Sequence, residues 1–157
     1  MRKSLPIFEL KTKKEAEKTY VWGALRKRYL LFSPEEHVRQ CLIQYLLQHI
    51  HVPKALISIE RGLTYNNRQK RYDLLVFDRE GQALLACECK APQIEIDDKA
   101  AFQLAVYNQK IGAPYLLLTN GPILLSYQQT QKGPFAPLLE LPTFEEMINS
   151  HNHQTNN

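Results

Sequence analysis

The sequence predicts an α/β fold, a mixed central sheet flanked by helices, with a β-hairpin extension at its N-terminus. Three observations predict it. Helical and strand-like periods follow one another in the order helix, three strands, helix, strand. Both helices carry their own start signals, Ser33-Pro34-Glu35-Glu36 and Asp97-Asp98. Short apolar runs of strand length, Tyr72–Phe77 and Ala83–Lys90, are joined by the turn Asp78-Arg79-Glu80-Gly81.

The first 32 residues read as an extended segment, Leu5 to Lys11, and a hairpin whose arms are Tyr20–Trp22 and Tyr29–Phe32. Ser33 caps a helix with proline at its first position and Glu36 placed to return the bond. Val38, Leu42, Tyr45, Leu46 and His49 then recur at helical spacing through Ile50, and Pro53 ends the run. A short strand, Leu56 to Glu60, and a basic loop, Thr64 to Arg71, lead into the hairpin of Tyr72–Phe77 and Ala83–Lys90. The second helix runs from Asp97 or Asp98 to Ile111, with Gly112 as its stop. Tyr115–Thr119 reads as a buried strand that Asn120-Gly121 turns back into Ile123–Tyr127. Pro134, Pro137 and Pro142 predict an irregular stretch, and a short helix near Phe144–Ile148 closes the fold. Residues 1–150 are expected to form one domain, and the polar stretch 151–157 a disordered tail.

Composition narrows the function classes. A chain of 157 residues is long enough to bury roughly 70% of its unfolded surface. No run approaches the ~20 apolar residues of a membrane span, and Met1-Arg2-Lys3-Ser4 lacks a signal-peptide core, so a cytoplasmic protein is expected. Cys41, Cys87 and Cys89 are odd in number, and the last two share a strand face, which predicts buried reduced thiols. His37, His49 and His51 have no zinc spacing, and His151-Asn152-His153 lies in the polar tail. Charge is uneven: residues 1–30 hold nine Lys/Arg against three Glu, a net +6, while the rest holds eleven against thirteen, a net −2. A basic segment beside an acidic site would attract a polyanion; a solvated charged hairpin is the other reading.

Asp73, Glu88 and Lys90 carry the chemistry. Two acids and a lysine are costly inside a sheet unless they hold a cation. Strand alternation points Glu88 and Lys90 the same way and Cys89 the other. Pairing of the two hairpin strands would add Asp73, giving two carboxylates and an ammonium on one face, enough for a hard divalent metal and a polarised water. This constellation points to phosphodiester hydrolysis.

Several strings carry a resemblance: Pro34-Glu35-Glu36-His37-Val38-Arg39-Gln40, Ile59-Glu60-Arg61-Gly62, Arg71-Tyr72-Asp73, Glu88-Cys89-Lys90-Ala91-Pro92, Gln103 to Tyr107-Asn108, and Thr119-Asn120-Gly121. In this order they resemble the PD-(D/E)xK nucleases of the restriction-endonuclease-like superfamily, and more narrowly the N-terminal nuclease domain of type I restriction enzyme R (motor) subunits. The likeness spans about residues 20–127. It implies a restriction-endonuclease-like core and a metal-dependent deoxyribonuclease using Mg²⁺ or Mn²⁺. Asp73 and Glu88 would be metal ligands with the main-chain carbonyl of Cys89. Lys90 would orient the attacking water or stabilise charge on the phosphate. An acid from the first helix often joins such a site, which makes Glu36 a catalytic candidate beside its capping role, with Glu60 as a rival. Gln103 and Tyr107 match a Gln-x-x-x-Tyr motif, and Lys99 and Lys110 fall near that helix face, a stripe suited to a DNA backbone or to plain solvent contact. Arg68, Lys70 and Arg71 form a basic approach, open to nucleic-acid contact or to loop solubility.

Tyr72 replaces the proline usual before the first acid. The larger departure is the missing GxxxxGK[ST] phosphate loop, so ATP-driven translocation does not carry over. The expectation is a nuclease domain acting alone on DNA, or one that borrows a helicase or other restriction-complex subunit in trans. A non-catalytic nucleic-acid-binding or regulatory module is the alternative. Oligomeric state and the choice between endo- and exonuclease action are open.

Overall fold

The computed structural model describes residues 3–59 and 72–155. Glu60, Arg68, Lys70 and Arg71 therefore lie outside the described residues, as does most of the Ile59-Glu60-Arg61-Gly62 string. Among the described residues nine strands and three helices follow in the order β1 (Thr12–Glu15), β2 (Lys18–Gly23), β3 (Arg28–Leu31), α1 (Pro34–Gln48), β4 (Ile57–Ile59), β5 (Leu74–Phe77), β6 (Ala83–Cys89), α2 (Asp98–Asn108), β7 (Tyr115–Thr119), β8 (Leu124–Gln129), β9 (Phe135–Leu138) and α3 (Phe144–Thr155). A 3₁₀ turn, Lys54–Leu56, precedes β4.

The larger sheet has the order β4-β5-β6-β7-β8-β9. It is antiparallel throughout except between β6 and β7, which run parallel because α2 crosses between them. This is the mixed α/β arrangement expected of a restriction-endonuclease-like core. One face packs on α1 and α3, through Val38, Leu42, Leu46, Phe144 and Met147 against Leu74, Val76 and Cys87. The other face packs on α2, with Ala101 and Leu104 against Leu75, Ala86, Leu116 and Leu118. β7 is buried along its whole length, as a central strand covered on both faces must be.

Other element ends shift by up to three residues, as where α2 stops at Asn108 short of the expected Ile111, and four larger differences from expectation each have a physical reason. The N-terminal hairpin is a three-stranded sheet, β1-β2-β3, because the polar run Thr12–Glu15 pairs with β2. Its residues are all exposed, so no apolar alternation announces the strand. β9 forms where prolines predict irregular chain; it is an edge strand, where the N–H that Pro137 lacks can be spared. The first strand of the acid-bearing hairpin begins at Leu74, leaving Asp73 in a bend. α3 continues beyond Ile148 to Thr155, into the polar stretch expected to be disordered.

Candidate active site

Asp73 stops short of β5 because its side chain takes the place of a backbone partner. Its N–H donates to the Cys87 carbonyl at 2.7 Å, and its Oδ2 accepts the N–H of Cys89, also at 2.7 Å. The carboxylate is thus built into the end of the β5–β6 ladder, one residue past the last registered pair, Leu74 and Cys87. On the other edge of β6, the Lys90 N–H donates to the Thr119 carbonyl at 2.9 Å, so the strand is held on both sides where Glu88 and Lys90 leave it. Cys87 and Cys89 face the core under α1 as free, buried thiols. Burial first, and the negative charge of Asp73 second, push both thiols well above their ordinary range.

Glu88 and Lys90 point together, as alternation predicts, with Lys90 Nζ 3.0 Å from Glu88 Oε1. Burial works against the Lys90 ammonium, but the hydrogen bond and charge of Glu88, with Asp73 and Glu35 further off, outweigh it and raise its pKa. Lys90 therefore stays protonated across the physiological range.

The first turn of α1 completes the cluster. Ser33 Oγ accepts the Glu36 N–H at 3.0 Å, the first half of the expected capping box. Glu36, only 8% exposed, turns its carboxylate inward to Arg39 and to Gln40 Nε2 at 3.4 Å. Arg39 is the residue that sequence reasoning left without a role. Its guanidinium ion-pairs with Glu36, meets Glu35 Oε1 at 3.2 Å, and reaches Asp73 Oδ1 at 2.9 Å. Burial opposes the charged guanidinium, yet the hydrogen bond and charge of Asp73, aided by Glu35, raise its pKa overall. The visible signal was its spacing, three and four residues after two glutamates. Buried Gln40 ties the cluster to the N-terminal sheet by accepting the Ala24 N–H at 3.3 Å.

The carboxylates gather around Arg39, and among the described residues no three His, Cys, Asp or Glu side chains stand as a ready-made metal cage. The donors beside β6 are all oxygens: Asp73, Glu88 and the main-chain carbonyl of Cys89. That set has the hardness magnesium or manganese prefers.

The other predicted residues lie on α2, which Asp97 caps through the Ala100 N–H at 2.9 Å. Lys99 and Gln103 are exposed on the helix, and Lys110 is exposed in the turn beyond it. Tyr107 is half-buried, its ring 5.8 Å from that of Tyr72, the neighbour of Asp73. The stripe thus borders the acidic cluster at its Tyr107 end.

Residues 34–142 match the family described as type I restriction enzyme R protein N terminus (HSDR_N). The chain belongs to that family. The match takes in Glu36, Arg39, Asp73, Glu88, Lys90, Gln103 and Tyr107 and begins after the N-terminal sheet. No curated protein sequence matches the chain. In two of the strings that carry the resemblance an asparagine builds a loop. Asn108 accepts the Ala113 N–H at 3.1 Å and donates to its carbonyl at 2.8 Å, closing the turn from α2 to β7. Asn120 donates to the Ile94 carbonyl at 2.9 Å, and Gly121, at φ +100°, turns the chain toward β8. Among the described residues no helix is long and apolar enough to cross a membrane.

Proposed function

We propose that this R protein N-terminal domain is a metal-dependent deoxyribonuclease that hydrolyses DNA phosphodiester bonds. The observation that supports the reading is the Asp73 carboxylate bound to the Cys89 N–H at the end of β6, on the strand where Glu88 and Lys90 pair, with Arg39 of α1 reaching Asp73 and Glu36. Asp73, Glu88 and the Cys89 carbonyl would hold Mg²⁺ or Mn²⁺. Such an ion supplies charge to a phosphate oxygen and lowers the pKa of a bound water.

The chain's own residues supply the rest. The Cys89 N–H fixes the Asp73 carboxylate, leaving its other oxygen shared with Arg39. Glu88 holds Lys90 beside it, and the protonated Lys90 is suited to orienting a water or to meeting charge that develops on the phosphate. Arg39 offsets the crowded carboxylates and keeps Glu36 and Asp73 on one side of the site. Gln103 and Tyr107 suit hydrogen bonding to a strand or stacking on a base, with Lys99 and Lys110 adding charge. A cytoplasmic setting and a motor subunit acting in trans are part of the same reading.

The test uses purified protein with linear and circular DNA in Mg²⁺, Mn²⁺ or chelator. Cleavage that requires the metal and disappears in Asp73→Asn and Glu88→Gln supports the reading. DNA binding without cleavage under any of these conditions would favour a non-catalytic module. Cleavage of circular DNA marks endonuclease action.

A further inference from the structure

The N-terminal sheet has one packed face and one open face. In β2, Val21 is fully buried, and a side chain at Gly23 would meet Leu30 Cδ1 at 2.9 Å, so that side is closed by the protein itself. Register places Tyr20 opposite Leu31 and Trp22 opposite Tyr29, with Lys13 opposite Tyr20 on the other edge. By strand alternation these residues share the outer face. Three half-buried aromatic residues therefore stand together on neighbouring strands, Trp22 edge-to-face with Tyr29 at 5.1 Å, with Leu31 beside them 59% exposed.

Two lysines lie over the rings. Lys13 Nζ is 4.3 Å from the Tyr29 centroid and 5.9 Å from that of Tyr20. Lys11 Nζ is 5.1 Å from Trp22 and 5.7 Å from Tyr29. Lys13 Nζ also pairs with Glu15 Oε2 at 3.2 Å, with both side chains exposed; ring contacts and ion pairs are weak where water reaches them, so a phosphate can draw the ammonium groups away. The surrounding segment carries the net +6 of residues 1–30. β3 then leads into Phe32, whose ring lies 5.6 Å from His37, the neighbour of Glu36. The aromatic face adjoins the acidic cluster and lies outside it.

We propose that this face binds single-stranded DNA, with bases stacking on Tyr20, Trp22 and Tyr29 and phosphates drawing Lys11 and Lys13 from the rings. Aromatic faces beside lysines suit an unpaired strand, since every base offers a π-face, whereas a duplex hides its base faces and offers phosphates alone. The proposal goes beyond the cleavage reading and does not require it, because none of these residues belongs to the acid cluster.

Trp22 is the chain's single tryptophan, so its emission reports on this face directly. The full chain is titrated in EDTA with oligo(dT), with duplex DNA of equal length and with inorganic polyphosphate. Oligo(dT) is expected to quench the emission, while duplex and polyphosphate leave it nearly unchanged. Binding of labelled oligo(dT), followed by anisotropy, should weaken roughly tenfold in Tyr29→Leu. The double substitution Lys11→Gln with Lys13→Gln, at exposed positions that leave folding intact, should flatten the salt dependence by about 1.4 in log–log slope. Glu88→Gln should quench as the unaltered chain does. Equal quenching by polyphosphate or duplex, an unchanged salt slope in the double variant, or loss of quenching in Glu88→Gln would each overturn the proposal. A chain that cleaves DNA but shows no quenching loses this surface alone; one that quenches without cleaving loses only the nuclease reading.

Discussion

Arg39 and Arg79 both tie separate elements together through carboxylates, and their surroundings give the two contacts different weight. Arg39 links α1 to the residue before β5, with a side chain 20% exposed and Asp73 beside it 19% exposed. Arg79 links the β5–β6 turn to α3 through Glu145, with the two side chains 52% and 61% exposed. Both guanidinium pKa values are raised, but by different balances. At Arg39 burial works against the charge and the carboxylates overcome it. At Arg79 the Glu145 hydrogen bond dominates with little burial to oppose it. The same chemistry stabilises the fold only where water cannot replace it. A half-buried guanidinium among three carboxylates is part of the site's construction, whereas an exposed pair is screened.

The largest expected effect is therefore Arg39→Ala. Removing the cation leaves Glu36 and Asp73 crowded together and poorly hydrated, at a cost of about 3 kcal/mol. Urea denaturation measures it, and a loss under about 1 kcal/mol would place Arg39 with ordinary surface pairs. Mn²⁺ should restore part of the stability if Asp73 and Glu88 are its ligands, because a bound cation replaces the missing charge. Equal destabilisation with and without Mn²⁺ would speak against those ligands.

Lys90→Ala should separate a cation used in chemistry from one used in folding. Lys90 has a 42% exposed side chain and reaches water, but Glu88 beside it is only 14% exposed, so the loss should cost about 1 kcal/mol of stability, less than that of Arg39, which serves three carboxylates. Cleavage should fall by about 10²-fold, the scale of a lost transition-state contact. A gel assay beside a thermal melt checks both. A large stability loss with near-normal cleavage would reverse the assignment.

The sequence made the local parts of this arrangement readable. Ser33-Pro34 opens α1 and Gly112 follows α2 because caps and stops act within one turn. Glu88 and Lys90 share a direction because a strand alternates by geometry alone. What could not be read depends on long-range partners. Arg39 and Asp73 are 34 residues apart, and nothing near either one specifies the contact. The same holds for Tyr107, whose ring meets Tyr72 only because α2 packs on that face of the sheet. Polar β1 and proline-bearing β9 are strands because a neighbour offers backbone partners, which composition does not record.

A smaller effect is expected in the thiols beneath the site. Burial, then the charge of Asp73, holds the Cys89 thiol protonated, with Arg39 partly opposing. Labelling of Cys89 at mildly alkaline pH must then wait for local opening. Arg39→Ala loosens the contact between α1 and Asp73 and should speed that labelling by at least tenfold, read by mass spectrometry of quenched samples. An unchanged rate would mean that the ion cluster does not control access to β6.

Arg79→Ala should do least, and its value lies in that contrast. The guanidinium meets Glu145 and rests 5.0 Å above the Phe144 ring, so the substitution removes an ion pair and a cation–π contact together. Both groups of the pair face solvent, and water can hydrate Glu145 once Arg79 is gone. Phe144 is itself buried in the core under α3, and its packing does not depend on the guanidinium. The thermal midpoint should stay within the scatter of repeat melts, and Cys89 labelling should match the unaltered chain. The Glu145 carboxyl, held below its usual range chiefly by the Arg79 hydrogen bond, should return toward that range, which carboxyl NMR titration would follow. If Arg79→Ala instead melts as early as Arg39→Ala, exposure is not what separates the two contacts, and the turn between β5 and β6 depends on α3 for its place.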